Sequence, residues 1–378
     1  MKTRIYFQPA MQIENAGDQL INLATLNSIR AYGEVVLDDL RTPGWFIDLI
    51  GAATDRRFSE FSRRRFYVSL ASLLLKQKFS GERLRHVLVL APGHLSRRGL
   101  REARMAFTWY SKLLVLRLLG CKVVRAGVSI GPFDRVNGWV ESFGSRGFDY
   151  YGVRDQESLA LADRVRLSNA RYFPDLAWSY RPVHRHSPAP DGGPVVLSFR
   201  SNSYGVVHSP EYLRPIRERL RRLLETPVLA RKRVIVAYQV ASDRDAALEI
   251  VADLQQQGVA IELRGEQLSI DEACALYASA CCVISNRLHV LLLAAQGGTL
   301  PIALASMRDN SKITSILDDN GLGDLVINVA DSESSSRDRI ETIVGGRSEI
   351  LRRIEHVREQ NTRRIKDAFA NVFSSCQA

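Results

Sequence analysis

The sequence lacks most of the features that would assign it quickly. No uninterrupted apolar run reaches the ~20 residues that a spanning helix needs. The stretch 113–119 is broken by Arg117, and 290–305 contains Gln296, Gly297, Gly298 and Pro301. Residues 1–19 hold no apolar segment of signal-peptide length, so the expected location is cytoplasmic. Cysteine is sparse and odd in number: Cys121, Cys274, Cys281, Cys282 and Cys376. Their spacing fits neither a disulfide framework nor a zinc site. Cys281 and Cys282 lie in a strand-like run and are expected to be core thiols in a reducing compartment.

Other absences narrow the field further. The first strand is not followed by G-x-G-x-x-G, which disfavours a dinucleotide. There is no H-E-x-x-H or similar cluster, so no metal site is expected. His184 and His186 fall in a proline-rich stretch, and His208 precedes a helix start at Pro210. No zinc-finger spacing, aromatic RNP-like pattern or helix-turn-helix signature stands out, so nucleic acid is not expected as a partner.

What is present is positive charge. The 378 residues carry a net charge of +11, with Arg far exceeding Lys. Arg suits phosphate and carboxylate recognition, so anionic substrates or an anionic membrane surface fit this balance better than nucleic acid does. The clusters Arg63-Arg64-Arg65 and Arg219-Leu220-Arg221-Arg222 lie beside apolar residues at helical spacing. They read as outer faces of amphipathic helices able to rest on a membrane.

Short β-type runs alternate with longer helical patterns, which predicts parallel sheets with crossover helices. The fold class expected is α/β, with two Rossmann-like domains facing a cleft and a long C-terminal helix packing back. The expected boundaries are 1–180 for the N-terminal domain, 181–194 for a linker with four prolines, 195–345 for the C-terminal domain and 346–378 for the helix and tail. In the first half, helical patterns are expected over 17–31, 58–79 and 101–119. Strands are expected near 4–7, 35–37, 87–90, 122–127 and 150–153. In the second half, strands are expected over 195–199, 233–237, 259–263, 282–284 and 300–304. Ligands of open α/β sheets bind beyond the carboxyl ends of the strands.

Several motifs fall at such ends. Asn15-Ala16-Gly17-Asp18 follows the first strand, where a phosphate-binding turn and a plain helix cap fit equally well. His94, in Ala91-Pro92-Gly93-His94, closes another strand. Gly127-Val128-Ser129-Ile130-Gly131-Pro132 reads as a loop after the 122–127 strand. Its G-x-S-x-G spacing matches a nucleophile elbow, but Asn137-Gly138 is expected to stop any following helix within two turns. A plain turn explains the segment better. Arg154 and Asp155 end the 150–153 strand. Asp155 fits a helix N-cap, and Arg154 either points into the cleft or forms a surface pair. Asp175 is expected to fix the hinge or hold an Arg.

The most informative stretch is Ser285-Asn286-Arg287-Leu288-His289, where a strand hands directly into an apolar helix. Such a junction presents unpaired backbone N–H groups and the positive end of the helix dipole. A guanidinium and an imidazole there suit a small anion. Lys312 follows the next strand and opens the next helix, so Arg287, His289 and Lys312 can converge.

Taken in order, Asn15-Ala16-Gly17-Asp18, Gly127 to Pro132, Val153-Arg154-Asp155, Pro174-Asp175, Arg287-Leu288-His289 and Lys312 resemble the polysaccharide pyruvyl transferase family, over about residues 10 to 320. The resemblance implies a fold like the two-domain GT-B glycosyltransferases. It implies transfer of pyruvate from phosphoenolpyruvate to a sugar as a ketal, during exopolysaccharide or cell-surface glycan assembly. Many members carry a glycine-rich turn after the third strand, where this chain has Ala91-Pro92-Gly93-His94, and that departure bears on the acceptor. The implied roles are phosphoenolpyruvate binding by Arg154, Arg287 and Lys312, acid catalysis by His289 and proton acceptance by Asp18. Asn15, Gly17, His94 and Ser129 are acceptor or loop candidates. No cofactor is implied beyond phosphoenolpyruvate as donor. The acceptor is a sugar, free or on a lipid-linked oligosaccharide, with peripheral contact at the inner face of the cell membrane. Two rivals share these features: a GT-B glycosyltransferase using a nucleotide sugar, and a non-catalytic glycan- or membrane-binding relative.

Overall fold

A computed structural model of the chain describes residues 2–10, 15–80, 83–182, 192–201, 209–307 and 310–374. Most of the expected linker, with His184 and His186, lies outside them, as do His208 and Cys376. The chain divides into two compact units. The first comprises Met1–Ile13, Asp18–Ser179 and Asn361–Ala378, and the second Glu14–Gly17 and Tyr180–Gln360.

The first unit contains β1 (Lys2–Gln8), β2 (Glu34–Leu37), β3 (Arg56–Arg57), β4 (Leu84–Leu90), β5 (Gly93–Arg97), β6 (Lys122–Phe133), β7 (Tyr150–Val153) and β8 (Ala170–Tyr172). Its helices are α1 (Ala16–Ile29, whose first residues group with the second unit), α2 (Gly44–Leu49), α3 (Phe66–Ser80), α4 (Gly99–Leu118), α5 (Arg135–Ser145) and α6 (Gln156–Arg164). The strands form one sheet in the order β3-β2-β1-β4-β6-β7-β8, with β5 paired to β6 off that path. All of its pairings are parallel. A parallel sheet needs cover on both faces, and the central strands are accordingly buried over Ile5–Phe7 of β1, 86–90 of β4 and 123–131 of β6.

The second unit holds β9 (Val195–Ser198), β10 (Val234–Val236), β11 (Ile261–Leu263), β12 (Cys282–Ser285), β13 (Leu300–Ala305) and β14 (Val326–Asn328). Between and after them come α7 (Pro210–Leu224), α8 (Arg244–Gln256), α9 (Ile270–Ala278), α10 (Leu288–Gln296), α11 (Ser311–Asp319) and α12 (Glu333–Gly345). This sheet is also parallel throughout, in the order β11-β10-β9-β12-β13-β14. The last helix, α13 (Arg347–Ser374), begins in the second unit and ends in the first. Its final turns are held there by Phe369 against Phe173, by Phe373 stacked on Tyr32 and by a Thr362 hydroxyl donating to the Trp178 carbonyl at 2.9 Å.

Three local expectations are corrected. The segment Gly127–Pro132 is not a loop, because β6 runs straight through it to Phe133. Positive φ angles at Gly127 (73°) and Gly131 (91°) let the strand bend without breaking, and β5 pairs alongside it. The helix after it does not stop at Asn137-Gly138: α5 passes through both, since the Asp134 carboxylate caps it by accepting from the Asn137 N–H at 2.8 Å. The helix expected over 58–79 starts only at Phe66. Arg63-Arg64-Arg65, expected on the outer face of a helix, lies before its first turn.

The core of the first unit is built around a charged group. Glu141 is wholly buried, and its carboxylate accepts from Arg97 at 2.9 Å, from the Tyr110 hydroxyl at 2.5 Å and from the Tyr151 hydroxyl at 2.8 Å. Arg125 lies 3.7 Å from it and is also sandwiched by the rings of Trp109, Phe148 and Tyr151. Removing one partner of a buried ion pair strands the others without compensation, typically at a cost of 3–5 kcal/mol. Glu141→Ala is therefore expected to lower the unfolding free energy by about 3–5 kcal/mol in urea denaturation. A loss under about 1 kcal/mol would show that the two guanidiniums find other partners.

Candidate active site

The order of strands in the second sheet explains why functional groups gather where they do. Sequence order runs outward from β9 in one direction (β10, β11) and from β12 in the other (β13, β14). Neighbouring β9 and β12 therefore form the switch point at which loops leave toward opposite faces and a crevice opens beyond the strand ends. The residues just past the carboxyl ends of β10, β9, β12 and β13 are Asp243, Arg200, Asn286 to His289, and Asn310 to Lys312.

These groups are tied together. The Asn286 side-chain amide clamps the loop after β9, accepting from the Arg200 N–H at 2.8 Å and donating to the Arg200 carbonyl at 3.0 Å. The Ser285 hydroxyl donates to the Ser198 carbonyl and accepts from the Arg287 N–H at 2.9 Å. Asn310, with its amide oxygen toward Arg200, accepts from that guanidinium at 2.9 Å. Its nitrogen then donates to the Tyr212 hydroxyl at 2.9 Å. The same hydroxyl receives a bond from Asn286 at 3.3 Å. Side-chain amides thus join three neighbouring strand ends.

The electrostatics are lopsided. The Arg287 guanidinium forms a two-pronged ion pair with the buried Asp243 carboxylate. Burial pushes the Asp243 pKa above its ordinary value, and the charges of Arg287 and Arg200 only partly offset this. Arg200 has its pKa pushed down, chiefly by burial, with the neighbouring charge of Arg287 acting in the same direction. Two guanidiniums thus share one carboxylate in a poorly solvated place, and a bound anion would relieve both. The helix starts add to this field. Arg287 is the N-cap residue of α10 and Asn310 that of α11, and neither side chain caps its helix, whereas Asp155, Ser209, Ser269 and Ser332 cap theirs. Leu288 and 290–296 of α10 are buried, so the helix is fixed by core packing rather than by a cap. Lys312 is half-buried in the first turn of α11.

His289 stands half-buried in the first turn of α10. It packs directly on the backbone of Gly17, where any Cβ would overlap the imidazole ring around Nδ1. Gly17 is therefore required by close approach. Asn15 supports the same turn by accepting from the Gly17 N–H at 3.0 Å. Asp18 is half-buried in the first turn of α1, a favourable place for a carboxylate.

The other expected site residues sit in the first unit. Arg154 is buried and donates to Asp175 at 2.7 Å and to the Ser129 hydroxyl at 2.8 Å. Ser129 in turn donates to Asp155 at 2.5 Å, and Asp155 caps α6 through the Ser158 N–H at 2.7 Å. Of the two placements expected for Arg154, the structure shows the Arg–Asp pair, buried and not on the surface, with Asp175 holding an Arg as expected. Ser129 is likewise an internal linker and not a loop group. His94 is exposed on β5, opposite Ser129 in the strand register. The basic cluster on α7 is also engaged: Arg219 donates to the carbonyls of Val329, Asp331 and Ser332, and Arg222 pairs with Glu225 and Glu333.

A family model for polysaccharide pyruvyl transferase matches residues 15–306. The chain belongs to the polysaccharide pyruvyl transferase family. The match takes in Gly17, Arg200, Asp243, Arg287 and His289 and ends before Lys312. A comparison with curated proteins finds no match. Solved structures share the fold at low identity. A glycosyltransferase from Rickettsia africae aligns with a TM-score of 0.63 at 12% identity, over 99% of this chain and 98% of its own. A UDP-GlcNAc 2-epimerase from Methanocaldococcus jannaschii aligns at 0.54 and 12%, over 91% and 93%. A mutant O-GlcNAc transferase from Thermobaculum terrenum aligns at 0.55 and 17%, over 100% of this chain and 68% of that one. The fold of this family member is GT-B-like.

The Gly17 contact yields a direct expectation. Gly17→Ala should displace the His289 ring, so the imidazole resonance missing from a His289→Ala NMR spectrum should shift in Gly17→Ala. An unmoved resonance would contradict the packing described.

Proposed function

We propose that the chain transfers pyruvate from phosphoenolpyruvate to two hydroxyls of a sugar, forming a ketal and releasing phosphate. The observation that supports this most is the pair Arg200 and Arg287 sharing Asp243 beside two uncapped helix starts and His289. Phosphoenolpyruvate presents a phosphate and a carboxylate close together, so it can engage more than one cation at once. In this scheme Arg287 and Lys312 hold one anionic group and Arg200 the other, with Arg200 replacing Arg154 in that role.

His289 donates a proton to the methylene carbon of the donor, which becomes a methyl group and leaves C2 electron-poor. One sugar hydroxyl attacks C2, the C2–O bond to phosphate breaks, and the second hydroxyl closes the ketal. The two hydroxyl protons released balance the proton gained at carbon and the one carried off with phosphate. Asp18, next in sequence to the glycine under His289, is assigned to accept the first hydroxyl proton. Fixed cations facing the leaving phosphate supply electrostatic stabilisation without reorganisation, and the scheme as written uses no cofactor. The acceptor belongs to exopolysaccharide or cell-surface glycan assembly, and a lipid-linked sugar at the inner membrane face fits it.

The test is incubation with phosphoenolpyruvate and nitrophenyl or lipid-linked sugars. Phosphate release with a product heavier by one pyruvate ketal is expected, and His289→Ala should slow it by about 10²–10⁴-fold. Turnover of a nucleotide sugar with no use of phosphoenolpyruvate would instead identify a glycosyltransferase. Full transfer by His289→Ala would remove the acid from the scheme.

A further inference from the structure

We propose that the outward face of α3, α4 and α5 in the first unit docks on an anionic lipid surface. Of the fourteen large apolar side chains exposed among the described residues, ten lie on these three helices. On α4, Leu100, Phe107 and Leu118 recur at spacings of seven and eleven residues and so share one side of the helix. On α3, Val68, Leu75 and Phe79 are spaced by seven and four residues and so also share one side, and Phe79 is 88% exposed. The outer turns of α5 add Trp139, 63% exposed.

The three helices are neighbours. The helices α3 and α5 each pack against α4. Trp139 stacks on Phe143 with ring centroids 6.0 Å apart, and Phe143 stacks on Phe107 of α4 at 5.1 Å. An aromatic ladder, exposed at Phe107 and Trp139 with Phe143 half-buried between them, therefore bridges α4 and α5. Monomeric proteins rarely leave large contiguous apolar patches in water without a partner.

Charge selects the partner. Arg101, Arg104 and Lys112 are exposed on α4, Lys76 and Lys78 on α3 and Arg135 on α5. The α3 segment has no acidic residue. On α4 the single acid, Glu102, is bound to the Arg98 N–H at 2.7 Å. On α5 the acid is the buried Glu141. A second copy of the chain meeting this face symmetrically would set cations against cations. An anionic bilayer accepts the apolar and aromatic groups at headgroup level and neutralises the cations around them. The basic segment Arg63-Arg64-Arg65, just before α3, extends the same charge.

Flotation of the full chain with vesicles of phosphatidylglycerol, and separately of phosphatidylcholine, tests this. Binding to phosphatidylglycerol alone, weakening as salt rises, is expected. A Trp emission shift on vesicle addition should be lost in Trp139→Phe. Arg101→Gln with Arg104→Gln should weaken binding roughly thirtyfold. Leu100→Asp with Leu118→Asp should abolish it, with thermal melting and transfer to a water-soluble sugar both unchanged. That last readout separates a failure here from a failure of the donor chemistry. The proposal is overturned by no flotation, by equal binding to both vesicles, by undiminished binding of the Asp variants, or by a dimer in sedimentation that Leu118→Asp converts to monomer.

Discussion

Two guanidiniums that share one buried carboxylate dominate the second unit. Arg287 is held in a two-pronged pair by Asp243, and Arg200 lies within reach of the same charges with its own pKa depressed by burial. Charge buried without full compensation is costly, so the surroundings must hold these groups rigidly. They do so with neutral amides. Asn286 and Asn310, together with the Tyr212 hydroxyl, bind the loops after β9, β12 and β13 to one another without adding negative charge. A second carboxylate would have satisfied the site internally, as Asp175 and Ser129 satisfy Arg154 in the first unit. The two arginines differ in this: Arg154 meets a carboxylate and a hydroxyl of its own, whereas Arg287 shares its carboxylate with Arg200.

The same contrast runs through the larger networks. In the first unit, Arg97 and Arg125 converge on Glu141 and are enclosed by aromatic rings, so their charge is consumed in holding β6, α4 and α5 together. In the second unit the positive charge exceeds its internal partner at the switch point of the sheet. Gly17 then supplies a surface without a side chain against which His289 is set. The imidazole there is positioned by shape, because the absence of a Cβ at Gly17 determines where the ring can lie.

Part of this is legible in the sequence alone. Ser285 to His289 could be read because its chemistry is contiguous: a β-rich run, an Arg, a His and an apolar helix in immediate succession. Asp155 follows from cap chemistry, and its side chain does cap α6. Arg200 and Asp243 could not be read. They lie 87 and 44 residues from Arg287, and what unites them is the strand order β10-β9-β12, a tertiary fact. The buried pairing of Arg154 is of the same kind, since its partner Asp175 is 21 residues away. Gly127 to Pro132 looked like a turn because two glycines flank a serine, yet pairing with β5 kept the segment in the sheet. Asn137-Gly138 looked like a helix stop, and the Asp134 cap overrode it. Local signals failed where a non-local partner set the conformation.

The central claim is that the cations beyond β9 and β12 bind the donor, and equilibrium binding tests it without requiring the right acceptor. Calorimetry should show phosphoenolpyruvate binding to the full chain, with inorganic phosphate competing for the same site. Arg287→Met should weaken binding by roughly tenfold to a hundredfold, the worth of a charged hydrogen-bonding partner, while Arg101→Gln on the outer face of α4 leaves it unchanged. Undiminished binding by Arg287→Met, or no binding by the unaltered chain, would contradict the account.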